Sequence, residues 1–163
     1  MNQDLLKEHF EYRDGHLWWI KPRARAVKVG QQFGTFNHDG YRQGVIYGKH
    51  YLEHRLVWLL HYGLWPKNQL DHINGIKHNN RIENLRECTQ SQNQFNRKGL
   101  SGTSSQYKGV SLCKKTRKWR AKAWRHGKEK SLGYFKTELE AAKVYDDFTK
   151  EFHGDYHRPN IKD

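Results

Sequence analysis

Four polar side chains in one short stretch have the types and spacing to do chemistry on a phosphate ester. The stretch reads LDHINGIKHNNRIENLRECTQSQNQFN, residues 70–96, and holds six asparagines and two histidines, which makes it poor core material. Asp71 offers a carboxylate and Asn93 an amide carbonyl, and such oxygen donors suit one hard divalent cation, Mg2+ or Mn2+ being the expected ions. A cation stabilises charge on a phosphodiester, but water must then be activated by another group. A neutral imidazole does this near pH 7, which assigns His72 as general base. The base needs one fixed tautomer, and an Asn carbonyl accepting from its other ring N–H supplies that; Asn84 is expected in this role. An Asp-His pair alone is a weak signal, and Asn-rich stretches are usually loops. It is the spaced set of four that points to catalysis.

These residues require a strand, a loop, a second strand and a helix. Asn74-Gly75 is a turn signal, and Thr89 and Gln92 have capping-box spacing, so a helix is expected to start near Thr89. Asp71 and His72 then lie on the first strand, Asn84 on the second and Asn93 on the helix. Adjacent residues of a flat strand point to opposite faces, so Asp71 and His72 share a site only at a twisted strand end. Upstream, EHRLVWLLHY (53–62) predicts a helix with an apolar face of Leu56, Val57, Leu59 and Leu60, ended by Gly63 and kept from continuing by Pro66. Residues 1–52 read as β-rich: HLWWI (16–20) and YRQGVIY (41–47) are strand-like, with Gly48-Lys49 as a two-residue turn into HYLEH. The basic loop KPRARAVK (21–28) is as well explained by solvation as by phosphate contact. His50, His54 and His61 lack a carboxylate or cysteine to complete a zinc site, and His78 reads as solvated or near phosphate.

The chain has 163 residues, room for one domain or two small ones. Its apolar fraction of 35% is too low for one large core, whereas 13% aromatic residues can anchor small ones. Thirty Lys and Arg against seventeen Asp and Glu give a net charge of +13, which favours a polyanionic partner through counterion release. Cys88 and Cys113 form no CxxC pair, which excludes a four-cysteine zinc knuckle; a reducing compartment fits. The apolar run LVWLL (56–60) is far short of a membrane span, and the acidic, polar start of the chain is not read as a secretory signal.

KGLSGTSSQ (98–106) has the composition of a linker. In the stretch that follows, Trp119, Ala121 and Ala123 alternate onto one strand face and Arg120, Lys122 and Trp124 onto the other. TELEAAKVYDDFTKEFHG then opens with Thr137 and Glu140 in capping-box spacing. It carries a helical stripe of Ala142, Tyr145, Phe148 and Phe152, ended by Gly154. Residues 97–136 contain thirteen basic residues and a single acid, Glu129, whereas 137–153 contain five acids against two lysines. Duplex DNA is therefore expected on the sheet, with the helix behind it.

DHINGIKHNNRIENLRECTQSQNQFN resembles the HNH endonuclease motif in the version found in phage and intron-encoded homing endonucleases. The resemblance implies two strands and a helix around one divalent metal. It gives Asp71 and Asn93 as metal ligands, His72 as general base and Asn84 as the residue that orients it. Asn93 stands where the motif name has histidine. Asn80 and Arg81 match a frequent NNR segment, with a structural or phosphate-contacting role. The segment YKGVSLCKKTRKWRAKAW…SLGYFKTELEAAKVYDDFTKEFHG is similar to the Apetala/ethylene-response-factor DNA-binding domain. The matching residues include Tyr107, Gly109, Val110, Trp119, Leu132, Gly133, Phe135, Ala142 and Tyr145. Ser111, Lys122 and Ser131 depart from that family, so its fold carries over and its target sequence does not.

The expected fold class is α+β. A ββα-metal module within residues 1–97 (motif 70–97) is followed by a linker at 98–106. A three-stranded antiparallel sheet packed on one helix completes the chain at 107–163. Arg120, Lys122, Trp124, Arg125, Lys118 and Arg81 are the candidate DNA contacts. The implied function is a metal-dependent DNA endonuclease, nicking or cutting both strands, with double-stranded DNA as partner. It would act as a monomer or weak dimer in the cytoplasm of a bacterium or phage-infected cell. The rival is a non-catalytic DNA-binding regulator.

Overall fold

The structure is a computed structural model and describes residues 1–22, 24–97, 102–125 and 127–161. The chain separates into two compact units, Met1–Asn93 and Gln94–Asp163. Among the described residues no helix is long and apolar enough to cross a membrane.

The amino-terminal unit opens with a helix, α1 (Gln3–His9), in a region that reads as β-rich from its sequence. Asn2 caps it by accepting the Leu5 N–H, and Leu6 is fully buried. Two turns of helix are marginal alone; α1 is held by packing on the later α2, where Gln3 Nε2 donates to the Leu60 carbonyl at 2.8 Å. The strands β1 (Phe10–Arg13) and β2 (His16–Trp19) form a hairpin through Asp14-Gly15, both with positive φ. A Cβ on Gly15 would lie 2.8 Å from the Arg81 backbone nitrogen, so glycine is required twice over, for conformation and for space.

Three further strands, β3 (Thr35–Phe36), β4 (Arg42–Ile46) and β5 (Lys49–Leu52), form an antiparallel sheet in chain order. Ile46 pairs with Lys49, so the β4–β5 turn is Tyr47-Gly48, one residue earlier than the expected Gly48-Lys49. Both turn residues have positive φ, as the tight turn that matches strand twist demands. Arg23, in the basic loop, lies outside the described residues.

Helix α2 (Glu53–Tyr62) ends as its sequence predicts, on left-handed Gly63, whose N–H returns to the Leu59 carbonyl. Leu56, Val57 and Leu59 join Leu6, Phe10, Leu17, Trp19, Phe33, Ile46 and Leu85 in one core. Then come antiparallel β6 (Gln69–His72) and β7 (Leu85–Cys88) and the helix α3 (Gln90–Phe95). Thr89 and Gln92 make the reciprocal capping-box bonds. Asn74-Gly75 turns the chain at the end of β6, but the connection runs on to residue 84. It closes with a 3-10 turn, Ile82–Asn84, so Asn84 precedes the second strand instead of lying on it.

In the carboxy-terminal unit β8 (Val110–Cys113), β9 (Lys118–Arg125) and β10 (Lys128–Phe135) form an antiparallel sheet in the order β10-β9-β8. Helix α4 (Glu138–His153) starts on the Thr137/Glu140 capping box and covers one face. Val110, Ala121, Ala141 and Ala142 are the buried centre. Gly109 permits the close approach of sheet and helix: a Cβ there would sit 2.1 Å from the Tyr145 ring. The buried line of α4 runs Ala142, Tyr145, Thr149, His153. Phe148 and Phe152, expected in the stripe, sit at its border, with Lys130 4.9 Å from the Phe148 ring and Arg125 5.6 Å from the Phe152 ring. Of the expected linker, residues 98–101 lie outside the described residues. Ser105 is buried instead of linking freely, and its hydroxyl donates to Glu138 at 2.7 Å.

Candidate active site

His72 ends β6 and is 4% exposed. Its ring lies among aromatic neighbours: His54 of α2 at 5.2 Å, edge-on, and Tyr41, just before β4, at 5.9 Å, between ring centroids. His72 Nε2 is 2.8 Å from Asn80 Oδ1. The Asn80 amide nitrogen donates in turn to Glu53 Oε2 at 2.8 Å. Asn80 and Glu53 are both 0% exposed. Glu53 also accepts the Leu17 N–H at 2.9 Å and lies 3.1 Å from His16 Nδ1. A continuous line of side-chain bonds therefore runs from β6 through the 73–84 connection to the start of α2 and on to β2.

The residue expected to hold His72 was Asn84, and its side chain is engaged elsewhere. Its amide nitrogen donates to Asn74 Oδ1 at 3.1 Å and to the Asn79 carbonyl at 2.7 Å, and its Oδ1 accepts the Asn74 N–H at 3.0 Å. Asn84 thus braces the connection, and Asn80 takes the ring. From the sequence, Asn80 had only a structural or phosphate-contacting role and His54 was weighed only for zinc; Glu53 and Tyr41 were not singled out. One signal was available: Glu53 lies three and four residues before Leu56 and Val57, on the apolar face of α2, where an acid is buried only if it has partners.

Asp71 is 5% exposed, and its Oδ2 accepts from Arg86 Nε at 2.8 Å and Nη2 at 2.7 Å. Arg86 is its cross-strand register partner. Asn93 Nδ2 donates to Gln69 Oε1 at 2.9 Å, which ties α3 to β6 two residues from Asp71, on the same strand face. The bond uses the amide nitrogen, so Oδ1 is the Asn93 atom available in kind to a cation. Strand parity sends Asp71 toward Arg86 and His72 toward Asn80 and α2. The two are adjacent at the end of β6, where the Gly75 N–H bonds the His72 carbonyl at 2.7 Å. Among the described residues no three His, Cys, Asp or Glu side chains gather as a metal-binding group; an Asp-Asn ligand pair is of a different kind.

Burial holds the His72 imidazole below the usual histidine range, against the opposing pull of Asn80 and Asp71; nearby His78 and Lys77 lower it further. The ring is therefore neutral near pH 7, as a base must be. His54 is pushed down to about 3, by burial first and then by His72 and Arg55. It stays neutral beside His72 and adds no competing charge.

On the carboxy-terminal sheet, the outer face of β9 carries Lys118, Arg120, Lys122 and Trp124, the last 60% exposed. Arg120 and Lys122 both bond to Glu129, at 2.8 and 2.7 Å, so the single acid of this strand pair clamps two candidate contacts side by side. Arg125 departs from expectation. It shares parity with Trp119, Ala121 and Ala123, and its guanidinium lies over Phe152 of α4, on the helix side. Arg81 is exposed and paired with Asp14 at 3.1 Å.

Residues 51–95 match the HNH endonuclease family model. An uncharacterized HNH endonuclease of Acanthamoeba polyphaga mimivirus is 32% identical over 123 residues, covering 75% of this chain and 63% of that protein. An AP2-like ethylene-responsive transcription factor of Arabidopsis thaliana and an APETALA2-like protein of Oryza sativa subsp. indica are each 40% identical over 58 residues. Those matches cover 36% of this chain and 12% and 13% of the plant proteins. The chain thus spans less than two thirds of the length of these relatives. No solved structure matches.

Proposed function

We propose that this chain is a metal-dependent DNA endonuclease of the homing type, which hydrolyses a phosphodiester to a 5′-phosphate and a 3′-hydroxyl. One arrangement carries the reading. A buried, neutral imidazole, His72, is held by a side-chain amide and lies one residue from a buried carboxylate, inside the segment that matches the HNH endonuclease family. His72 takes the proton from the attacking water. Asn84 keeps the 73–84 connection in shape around the strand end.

In this reading β6, β7 and α3 form a ββα-metal unit, with Asp71 and Asn93 holding Mg2+ or Mn2+. The donors fit: both are hard oxygens, and Asp71 already balances a cationic group, the Arg86 guanidinium. The ion, when bound, supplies stabilisation of charge on the phosphate and the departing 3′ oxygen. The basic outer face of the carboxy-terminal sheet binds the duplex through Lys118, Trp124, Arg120 and Lys122, the last two exchanging Glu129 for phosphate. One such site per chain gives a nick; a double-strand break needs two copies or two successive nicks.

The Arg86–Asp71 ion pair favours a second reading, a non-catalytic DNA-binding regulator, because a guanidinium sits against the carboxylate a metal would use. The two readings separate on supercoiled plasmid carrying candidate sites, incubated with the protein and Mg2+ or Mn2+, with and without EDTA. Nicks that require metal and can be religated directly are expected of the enzyme. Tight binding without cutting of any substrate returns the regulator.

A further inference from the structure

Hydrogen-bond chemistry on the buried line from β2 to β6 leaves little freedom. Glu53, the first residue of α2, has no solvent exposure. Its Oε1 accepts the Leu17 backbone N–H, a group that can only donate. Its Oε2 lies 2.8 Å from the Asn80 amide, and a carboxylate oxygen accepts, so the Asn80 NH2 end must face Glu53. The other end of that amide, Oδ1, is then turned to His72 Nε2 at 2.8 Å. An amide oxygen cannot donate, so Nε2 must carry the ring hydrogen. The lone pair of the neutral imidazole is thereby put on Nδ1.

We propose that Glu53 is a positioning residue. Through the Asn80 amide it fixes His72 in the Nε2–H tautomer and so determines which ring nitrogen can take a proton. This rests on the reading of His72 as general base. Asn80 is the transmitting group, and it has this role because both of its ends are occupied by partners of fixed polarity. The nearest alternative, a purely structural bond network, would leave the nicking rate unchanged when the tautomer is reversed in a folded chain.

The variant Glu53→Gln tests this, since it is nearly isosteric and reverses the polarity at one atom. The Leu17 N–H keeps the side-chain oxygen on its own side, so the new NH2 faces Asn80. The Asn80 amide must then turn its oxygen toward residue 53 and its NH2 toward His72. Nε2 becomes an acceptor, and the hydrogen moves to Nδ1. The experiment is long-range proton–nitrogen correlation on the full chain labelled at histidine nitrogen, wild type and Glu53→Gln, paired with plasmid nicking in Mg2+. The wild-type His72 ring is expected as Nε2–H and the variant ring as Nδ1–H. The kcat for nicking should fall about 10²-fold with KM within about twofold, as expected of a misassigned base. An Nδ1–H ring in the wild type overturns the proposal whether or not the variant folds, and so does an unchanged Nε2–H ring in a folded variant. Reversal of the tautomer in a chain that cuts no DNA upholds the role of Glu53 and removes the nuclease reading instead. Nicking by both proteins with no reversal does the opposite.

Discussion

Two histidines, one in each unit, are buried to nearly the same extent, His72 at 4% and His153 at 6% exposure, and both titrate below the usual histidine range. Their surroundings differ in kind. His72 is bonded to Asn80, which is bonded to Glu53. His153 stacks on Phe95 at 3.7 Å between ring centroids, touches Phe152, and its Nδ1 is buried with no hydrogen-bond partner among the described residues. A depressed histidine pKa therefore does not by itself mark a reactive site. It marks burial, and what separates a base from a packing residue is a partner that fixes the ring nitrogens.

The contrast can be broken most forcefully at Asn80. Asn80→Leu keeps the volume but takes the amide away from both Glu53 Oε2 and His72 Nε2. The amino-terminal unit should lose about 3–5 kcal/mol, read from urea denaturation. A change within error would mean that the line of bonds is incidental. His72→Phe comes next: it preserves a flat ring and strands the Asn80 carbonyl, so about 1–3 kcal/mol should go. The same exchange at His153 should cost about 0.5 kcal/mol or less at pH 7, because that ring is held by stacking and leaves no partner behind.

His153→Phe should also change the response to acid. Burial first, then Lys108 and His157, bring His153 down to about 4. Between that value and about 6.5 the unfolded chain binds the proton and the folded chain does not. The contribution is therefore fully present above about 6.5 and is lost as pH falls through about 4. Urea midpoints from pH 7 to 4 should drop less for the variant than for the parent, and parallel curves would contradict the assignment. The smallest effect belongs to the outer sheet face. Glu129→Gln releases Arg120 and Lys122, so affinity for nonspecific duplex, measured at fixed salt, should rise severalfold. A fall would mean that the clamp presents the two cations correctly instead of competing with DNA for them.

Local patterns were legible where neighbours in sequence decide the structure. The turn at Asn74-Gly75, the capping boxes at Thr89 and Thr137 and the end of α2 at Gly63 are set by interactions within a few residues, and each is found where its pattern put it. The partner of His72 was not legible. Several asparagines follow it, and which one folds back onto the ring depends on Glu53, 27 residues before Asn80. Short helix α1 was missed because its stability comes from packing on α2 and not from its own residues. Arg125 was a different failure. Its parity with Ala121 and Ala123 could be counted from the sequence, and counting puts it with the helix, where it lies over Phe152.

In the proposed reaction a buried imidazole beside Asp71 activates water for phosphodiester hydrolysis. Single-turnover nicking of one supercoiled substrate by the parent chain and by His72→Ala, in Mg2+ and at matched DNA occupancy, tests it most directly. A rate loss of about 10²–10⁴-fold with DNA binding unchanged is expected. Equal rates from equally pure proteins would contradict it.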